Sequence, residues 1–227
     1  MAYKKFFFSH ARTAFKYGLK NFNIIENDEI LIPKYICESI IHPLETLKIK
    51  PIYYKVKLDL SPDWEDIKLK FSKKIKAILA VHYFGEPQNL NYFLKFCSKK
   101  NILLIEDNAH GLGGKSKQKS LGSFGSTSCL SFHETKNLTC GEGGAICIND
   151  EDLIETIQHI REKGTNRSSF FEGKIDKYEW IEKGSNFLPS ELQSSVLRGQ
   201  LERFDEIQEK REKIWNLYFD EFKHFNR

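Results

Sequence analysis

The sequence predicts an α/β protein in which a mostly parallel sheet is flanked by helices. Short apolar segments alternate with helix-compatible segments along most of the chain. Residues 75–81 form a nearly continuous apolar run, which is typical of a strand that is buried on both faces. The chain has 227 residues, which is enough to bury a sizeable core in one large domain or in two small ones.

The predicted elements follow one another in chain order from residue 12 to residue 163. The predicted strands are residues 29–33, 51–56, 75–81, 102–105, 128–132 and 144–148. The predicted helices are residues 12–21, 39–47, 90–99 and 150–163, the last with Asp150 as its N-cap. Because ligands bind at the carboxyl ends of the strands in such sheets, residues just after a strand are the first candidates for a functional site.

The last part of the chain has a different pattern. Residues 189–222 are helical in pattern and strongly charged, with an interrupted apolar stripe that includes Trp215, Tyr218 and Phe222. Pro189 suits the first turn of a helix. One unbroken helix of this length would extend about 50 Å. We therefore predict a large domain over residues 1–188, and a long helix over residues 189–227 that leads to a further domain or to a partner subunit.

Composition and charge exclude several classes of function. The net charge is only +4, and the lysines are spread along the chain instead of forming a basic cluster. Nucleic acid and membrane surfaces are therefore not expected partners. No apolar run reaches the roughly 18 residues that span a bilayer. The apolar stretch before Ser9 is too short for a signal peptide. The five cysteines are odd in number and lack metal-ligand spacing, so we expect a cytoplasmic protein without a metal site.

Lys136 is the first candidate for chemistry. It follows the predicted strand 128–132 and precedes the glycine-rich segment 141–144, so its amine is placed to reach a cleft. An amine in a cleft can form a Schiff base with an aldehyde cofactor. Spacing alone favours the simpler interpretation that Lys136 is one of many surface lysines.

Two further positions also have two interpretations. Asp107 follows the strand 102–105, where its carboxylate can face the ring nitrogen of pyridoxal 5′-phosphate (PLP) or simply cap a helix. The segment 9–14 precedes a helix whose free N–H groups can bind phosphate, or it is a plain capping segment. An acid and a lysine at the ends of two strands together give the cofactor interpretation about the same weight as the simpler one.

Four motifs in one order then resemble a known family. They are VHYFG at 81–85, IEDNAHG at 105–111, SFHETKN at 131–137 and GEGG at 141–144. From about Ser9 to the end, the chain resembles the DegT/DnrJ/StrS sugar aminotransferases. The segment 161–180 is similar to a narrower group, the dTDP-4-amino-4,6-dideoxygalactose transaminases. The resemblance implies the fold of the PLP-dependent transferases that are like aspartate aminotransferase, with a smaller C-terminal domain after the long helix.

The resemblance also implies roles for individual residues. Lys136 matches the lysine that carries PLP and relays the proton, and Asp107 matches the acid that pairs with the pyridine nitrogen. The other matches are His110 near the phenolic oxygen, Ser131, Arg12 and Thr13 at the phosphate, and Asn186 at the phosphate of the neighbouring subunit. Cys37 stands where many relatives place an aromatic ring over the cofactor. We therefore expect a homodimer with shared active sites.

The implied function is transamination of a nucleotide-linked 4-keto-6-deoxy sugar. The expected substrate is dTDP-4-keto-6-deoxyglucose or a close relative, with L-glutamate as amino donor, in the synthesis of lipopolysaccharide or other surface polysaccharide precursors. Lysine at position 136, where dehydratases of the family have histidine, argues against dehydration. The first alternative is a shortened, non-catalytic relative, which exposed apolar surface near Trp215, Tyr218 and Phe222 would favour. The second is a nucleotide-binding α/β protein without PLP.

Overall fold

A seven-stranded sheet organises the computed structural model, which describes residues 4–225. The strands in chain order are β1 (Lys4–Phe8), β2 (Glu29–Pro33), β3 (Lys50–Tyr54), β4 (Ile75–Val81), β5 (Leu103–Asp107), β6 (Lys115–Ser116), β7 (Lys119–Ser120), β8 (Thr127–Ser131) and β9 (Gly144–Ile148). In the large sheet they lie in the order β1-β9-β8-β5-β4-β2-β3, while β6 and β7 form a small hairpin. Strand β9 is antiparallel to both β1 and β8, and the other neighbouring pairs are parallel. The predicted mostly parallel sheet is confirmed.

Helices cover both faces of this sheet. They are α1 (Ala11–Asn21), α2 (Ile41–Thr46), α3 (Trp64–Lys70), α4 (Leu90–Lys100), α5 (Ile154–Arg161), α6 (Arg167–Phe171), α7 (Glu191–Glu202) and α8 (Phe204–Phe222). Side chains that alternate along each strand enter different cores. Ile30 and Ile32 lie in the core that α1, α2 and α5 share, whereas Leu31 lies in the core under α3 and α4. Because both faces are covered, β2, β4 and β9 are apolar at nearly every position.

The predicted strands and helices up to residue 163 are confirmed, with ends that shift by a few residues. Single 3-10 turns, Glu38–Ile40 and Glu151–Leu153, form the first part of two predicted helices. The structure adds elements that were not predicted, namely β1, α3, α6 and the β6–β7 hairpin. Strand β1 matters for function because it brings the start of α1 beside β9.

The long helix predicted over residues 189–227 is interrupted in the structure. Helix α7 ends at Glu202, and Arg203 has non-helical backbone angles before α8 begins. The break lets Phe204 pack on Gly113, where a Cβ would lie 2.3 Å from the tip of the Phe204 ring. Pro189 is not in the first turn either, because Ser190 caps α7 in a capping box with Gln193.

Helix α8 carries an uncovered apolar face. The exposed fractions of Trp215, Tyr218 and Phe222 are 60%, 61% and 57%. Trp215 stacks on Phe219 with ring centroids 4.9 Å apart, so the exposed rings cover one another in part. Within residues 4–225, none of the helices combines the length and the apolar character needed to cross a membrane.

Candidate active site

A cavity of about 560 Å³ opens at the carboxyl edge of the parallel strands. Arg12, Asp107, His110, Ser131 and Lys136 all line it, so five of the seven predicted site residues come together. They lie at the ends of β5 and β8 or in the segments that follow β1, β5 and β8, and these three strands end at the same edge of the sheet. The volume is within the usual range for small-molecule sites, about 300–1,000 Å³.

Asp107 is the last residue of β5 and forms part of the cavity lining. Burial raises the pKa of its carboxyl above the ordinary value. An N–H bond from Ala109 at 3.1 Å and the nearby charges of His110 and Lys136 oppose this rise without cancelling it. A cationic N–H group beside this carboxyl would favour its ionised form and offset the cost of burying the charge.

Lys136 lies in a turn that begins directly after β8. Its backbone N–H donates to the carbonyl of His133 at 2.9 Å, and its side chain is partly buried at the cavity wall. The next residue is held from outside, because Arg211 of α8 donates to the side-chain oxygen of Asn137 at 2.8 Å. The turn thus fixes the start of the lysine side chain and leaves the amine on the cavity side.

The start of α1 is a ready anion site at another wall of the cavity. Its N-cap residue, His10, makes no side-chain capping bond, and the first turn contains no acidic residue. The N–H groups of this turn therefore point to the cavity without a side-chain acceptor. Gly144 makes the arrangement possible, since a Cβ there would lie 2.2 Å from the nitrogen of Ala11.

Two predicted site residues lie outside the cavity lining. Thr13 is partly buried in the first turn of α1, one residue beyond Arg12, which does line the cavity. Asn186 is exposed and forms a β-bridge with Glu162, and its side-chain oxygen accepts from the N–H of Leu188 at 3.4 Å. Its expected contact with a neighbouring subunit stays a prediction, as do the cofactor contacts of the other residues.

A buried hydrogen-bonded pair that was not predicted involves Glu106, the residue before Asp107 in β5. Glu106 and His82 are both fully buried, and their side chains meet at 2.9 Å. The imidazole accepts an N–H bond from Gln88 through Nδ1, so Nε2 carries the proton and donates to the carboxylate. Glu106 also accepts backbone N–H bonds from Gly122, Phe124 and Gly125 at 2.7–2.9 Å.

The cavity also has an aromatic wall that sequence analysis missed. Tyr35 and Tyr83 lie with ring centroids 5.6 Å apart, and the Tyr83 hydroxyl donates to the carbonyl of Tyr35. Phe84 stacks on His110 at 6.0 Å with planes 20° apart. Cys37 lines the same cavity, and its sulfur accepts from Ser39 at 3.2 Å. These rings come from three loops, after β2, β4 and β5, so no periodic pattern in the sequence joins them.

These groups fit PLP in their chemistry. The cofactor needs an amine for its aldehyde, an acid for its ring nitrogen and donors for its phosphate. Lys136, Asp107 and the start of α1 supply one of each around a single cavity.

Comparison with known proteins gives matches over most of the chain. Residues 7–227 match the DegT/DnrJ/EryC1/StrS aminotransferase family. The UDP-4-amino-4,6-dideoxy-N-acetyl-beta-L-altrosamine transaminase of Helicobacter pylori is 31% identical over 173 residues, which cover 76% of this chain and 45% of the relative. GDP-perosamine synthase of Escherichia coli O157:H7 is 27% identical over 215 residues, which cover 92% of this chain and 56% of the relative.

A solved structure agrees with these matches. Helicobacter pylori PseC, an aminotransferase involved in the biosynthesis of pseudoaminic acid, superposes with a TM-score of 0.88 at 27% identity, over 97% of this chain and 58% of that one. The chain thus spans about half the length of the relatives it matches. The cofactor of this family is PLP, which confirms the expected cofactor. With its fold and cavity, the chain belongs to the DegT/DnrJ/EryC1/StrS aminotransferase family.

Proposed function

We propose that this chain is the PLP-binding part of an aminotransferase that acts on a nucleotide-linked 4-keto-6-deoxy sugar. One observation carries the proposal: Lys136 and Asp107 line a single cavity with the uncapped start of α1. An amine, an acid and an anion site around one cavity are the three groups that PLP needs. Surface lysines and helix caps, the simpler interpretations, give no reason for this grouping.

Each residue has a task that follows from its position. Lys136 would hold PLP at its aldehyde through Nζ, and its amine would carry the proton that transamination moves. Asp107 would keep the ring nitrogen protonated, and its buried carboxylate would gain a cationic partner. The N–H groups at the start of α1, with Arg12, Thr13 and Ser131, would orient the phosphate. When bound, PLP supplies the electron sink for transamination.

His110 is suited to accept or donate a hydrogen bond in neutral form. Burial lowers the pKa of its imidazole, and the charge of Lys136 lowers it further, although Asp107 acts in the opposite direction. A neutral ring can place one nitrogen as a donor toward the phenolic oxygen of PLP. This agrees with the role that the family resemblance implies.

The relatives support a nucleotide-linked sugar as the substrate, but they do not agree on one nucleotide. The two relatives above are named for UDP- and GDP-linked amino sugars. The segment 161–180 resembles the transaminases of dTDP sugars, so we propose dTDP-4-keto-6-deoxyglucose as the first substrate to test, with L-glutamate as donor. The product would serve lipopolysaccharide or another surface polysaccharide.

A homodimer with shared active sites is part of the proposal. Asn186 is exposed and outside the cavity of its own chain, so it is available to a second copy. Phe171 and Trp180, which precede Asn186 in the chain, expose 67% and 70% of their surface. Exposed aromatic side chains are enriched in protein interfaces.

The experiment that tests the function is covalent capture of the cofactor. The protein is incubated with PLP, treated with borohydride, digested and analysed by mass spectrometry. We expect the label on Lys136, its loss in Lys136→Ala, and its retention in Lys99→Ala, which changes an exposed lysine outside the cavity. L-Glutamate should then release 2-oxoglutarate from the unreduced protein. A label spread over surface lysines, unchanged in Lys136→Ala, would refute the proposal.

A second candidate is a non-catalytic member that keeps the fold and binds PLP. Its motivation is the exposed face of α8, where Trp215, Tyr218 and Phe222 form an apolar surface. The same experiment separates the two. Labelling of Lys136 without release of 2-oxoglutarate would support the non-catalytic candidate.

A further inference from the structure

Phe84 has an unusual backbone for its residue type. Its φ and ψ angles are 56° and 15°, in the left-handed region that suits glycine and asparagine. Among the described residues that line the cavity, it is the one non-glycine residue with a positive φ. For a bulky residue this conformation is a genuine outlier, and such outliers cluster at binding and catalytic sites.

The surroundings of Phe84 hold this conformation in place. Its N–H points to Nδ1 of His110 at 3.4 Å, and the turn closes with the N–H of Gly85 donating to His82 at 3.0 Å. Gly85 is itself left-handed, and a Cβ there would lie 3.2 Å from the carbonyl oxygen of His110. The loop therefore lies close to the His110 backbone.

Folding does not explain why a phenylalanine occupies this position. The side chain is 75% exposed, so burial in the core offsets little of the backbone strain. Glycine or asparagine would fit the same turn with less strain. A ring at this point therefore has a use outside the core of the protein.

The ring has a partner of the right geometry. It lies nearly parallel to His110, with centroids 6.0 Å apart and planes 20° apart, and both line the cavity that contains Asp107 and Lys136. Flat rings gain from offset stacking on other flat rings. Cys37 lines the cavity too and offers a thiol, not a ring.

We propose that the ring of Phe84, held in place by His110, is an aromatic platform for the heteroaromatic ring of the cofactor. The inference rests on the proposed function, because it takes PLP to be the ring bound between Asp107 and Lys136. The left-handed conformation of Phe84 then serves to position its ring, and its strain makes the fold less stable than it would be with glycine at this position. Stability and cofactor affinity should then respond in opposite directions when Phe84 is replaced.

The test measures both quantities in the same variants. Phe84→Gly and Phe84→Asn should keep or raise the urea midpoint, since they relieve the left-handed strain. They should weaken PLP binding about 2- to 10-fold, the equivalent of the ~0.5–1.5 kcal/mol of an aromatic stack. Phe84→Tyr, which keeps an aromatic ring, should bind PLP as tightly as the unaltered protein. Lys48→Gly is the control, because Lys48 is also left-handed and exposed but lies outside the cavity.

The possible outcomes separate the two proposals. If the unaltered protein does not bind PLP, the proposed function fails and the platform fails with it. If the unaltered protein binds PLP and Phe84→Gly binds it equally well, the platform is refuted and the proposed function stands. If Phe84→Gly lowers the urea midpoint as well as the affinity, the ring is structural and the platform is again refuted.

Discussion

Replacing Glu106 should show how strongly the buried pair supports the site. Its carboxylate accepts four hydrogen bonds, one from His82 and three from the backbone of residues 122–125. Burial alone would raise the pKa of Glu106, but the bonds from His82 and from the N–H groups of Gly125 and Gly122 outweigh burial and hold it below its usual value. The lowered pKa keeps the carboxyl ionised at neutral pH, so that both oxygens can accept these four hydrogen bonds.

The magnitude follows from the donors that each variant leaves without an acceptor. Glu106→Ala leaves four buried donors, at about 1–3 kcal/mol each. Allowing for water that enters the space, we expect a loss of about 4–6 kcal/mol, a large part of the 5–15 kcal/mol that is usual for a domain. Glu106→Gln keeps an acceptor for Phe124 and Gly125 but turns an amide toward His82 and Gly122. It should cost about 2–4 kcal/mol.

The assay is urea unfolding followed by tryptophan fluorescence, at neutral pH and at decreasing pH. Because the folded pKa of Glu106 is lowered, its contribution is present above the unfolded pKa of about 4.3 and is lost as the pH falls through the folded value. Glu106→Gln should remove that acid sensitivity. Glu134→Gln, an exposed control in the Lys136 turn, should change stability by less than about 0.5 kcal/mol. A Glu106→Gln variant as stable as the unaltered protein would refute the reasoning.

Two other substitutions test the cofactor end of the site. Asp107 has a raised folded pKa, so it makes the folded state less stable as the pH rises through the window between its unfolded and folded values. Asp107→Asn should abolish this dependence in urea titrations without lowering stability at neutral pH, yet weaken PLP binding; lost stability at neutral pH would contradict the burial argument. Gly144→Ala puts a methyl group 2.2 Å from the first nitrogen of α1 and should destabilise the fold by about 1–3 kcal/mol. Gly199→Ala, in α7 with nothing within 4 Å, should be neutral or stabilising in the same assay, and equal effects would count against the packing reason.

Residues at the ends of strands could be predicted from sequence, because the position follows from the local pattern. Asp107 and Ser131 end β5 and β8, and Lys136 lies in the turn after β8, so parallel pairing brings them to one edge. The aromatic wall could not be predicted in this way. Tyr35 and Phe84 come from loops after β2 and β4, and their meeting depends on turn geometry that sequence periodicity does not encode.

Some missed elements did leave signals in the sequence. Helix α3 has an N-cap, Asp63, that accepts N–H bonds from Glu65 and Asp66, followed by lysines in its last turn. These are ordinary helix signals, hidden by a surrounding excess of charge. The break at Arg203 left none, because it depends on the fit of Phe204 against Gly113, which are far apart along the chain.

The position of β1 has a consequence for the order in which the protein assembles. β1 opens the described chain but pairs with β9, so that Lys4 lies opposite Ile148. During synthesis this strand has no partner until most of the sheet has emerged, and closing so long a loop is slow. The start of α1 reaches Gly144 through the same pairing. The start of α1, the proposed phosphate site, is therefore complete only after β9 has been made, and we expect PLP to bind the nascent chain only after that point.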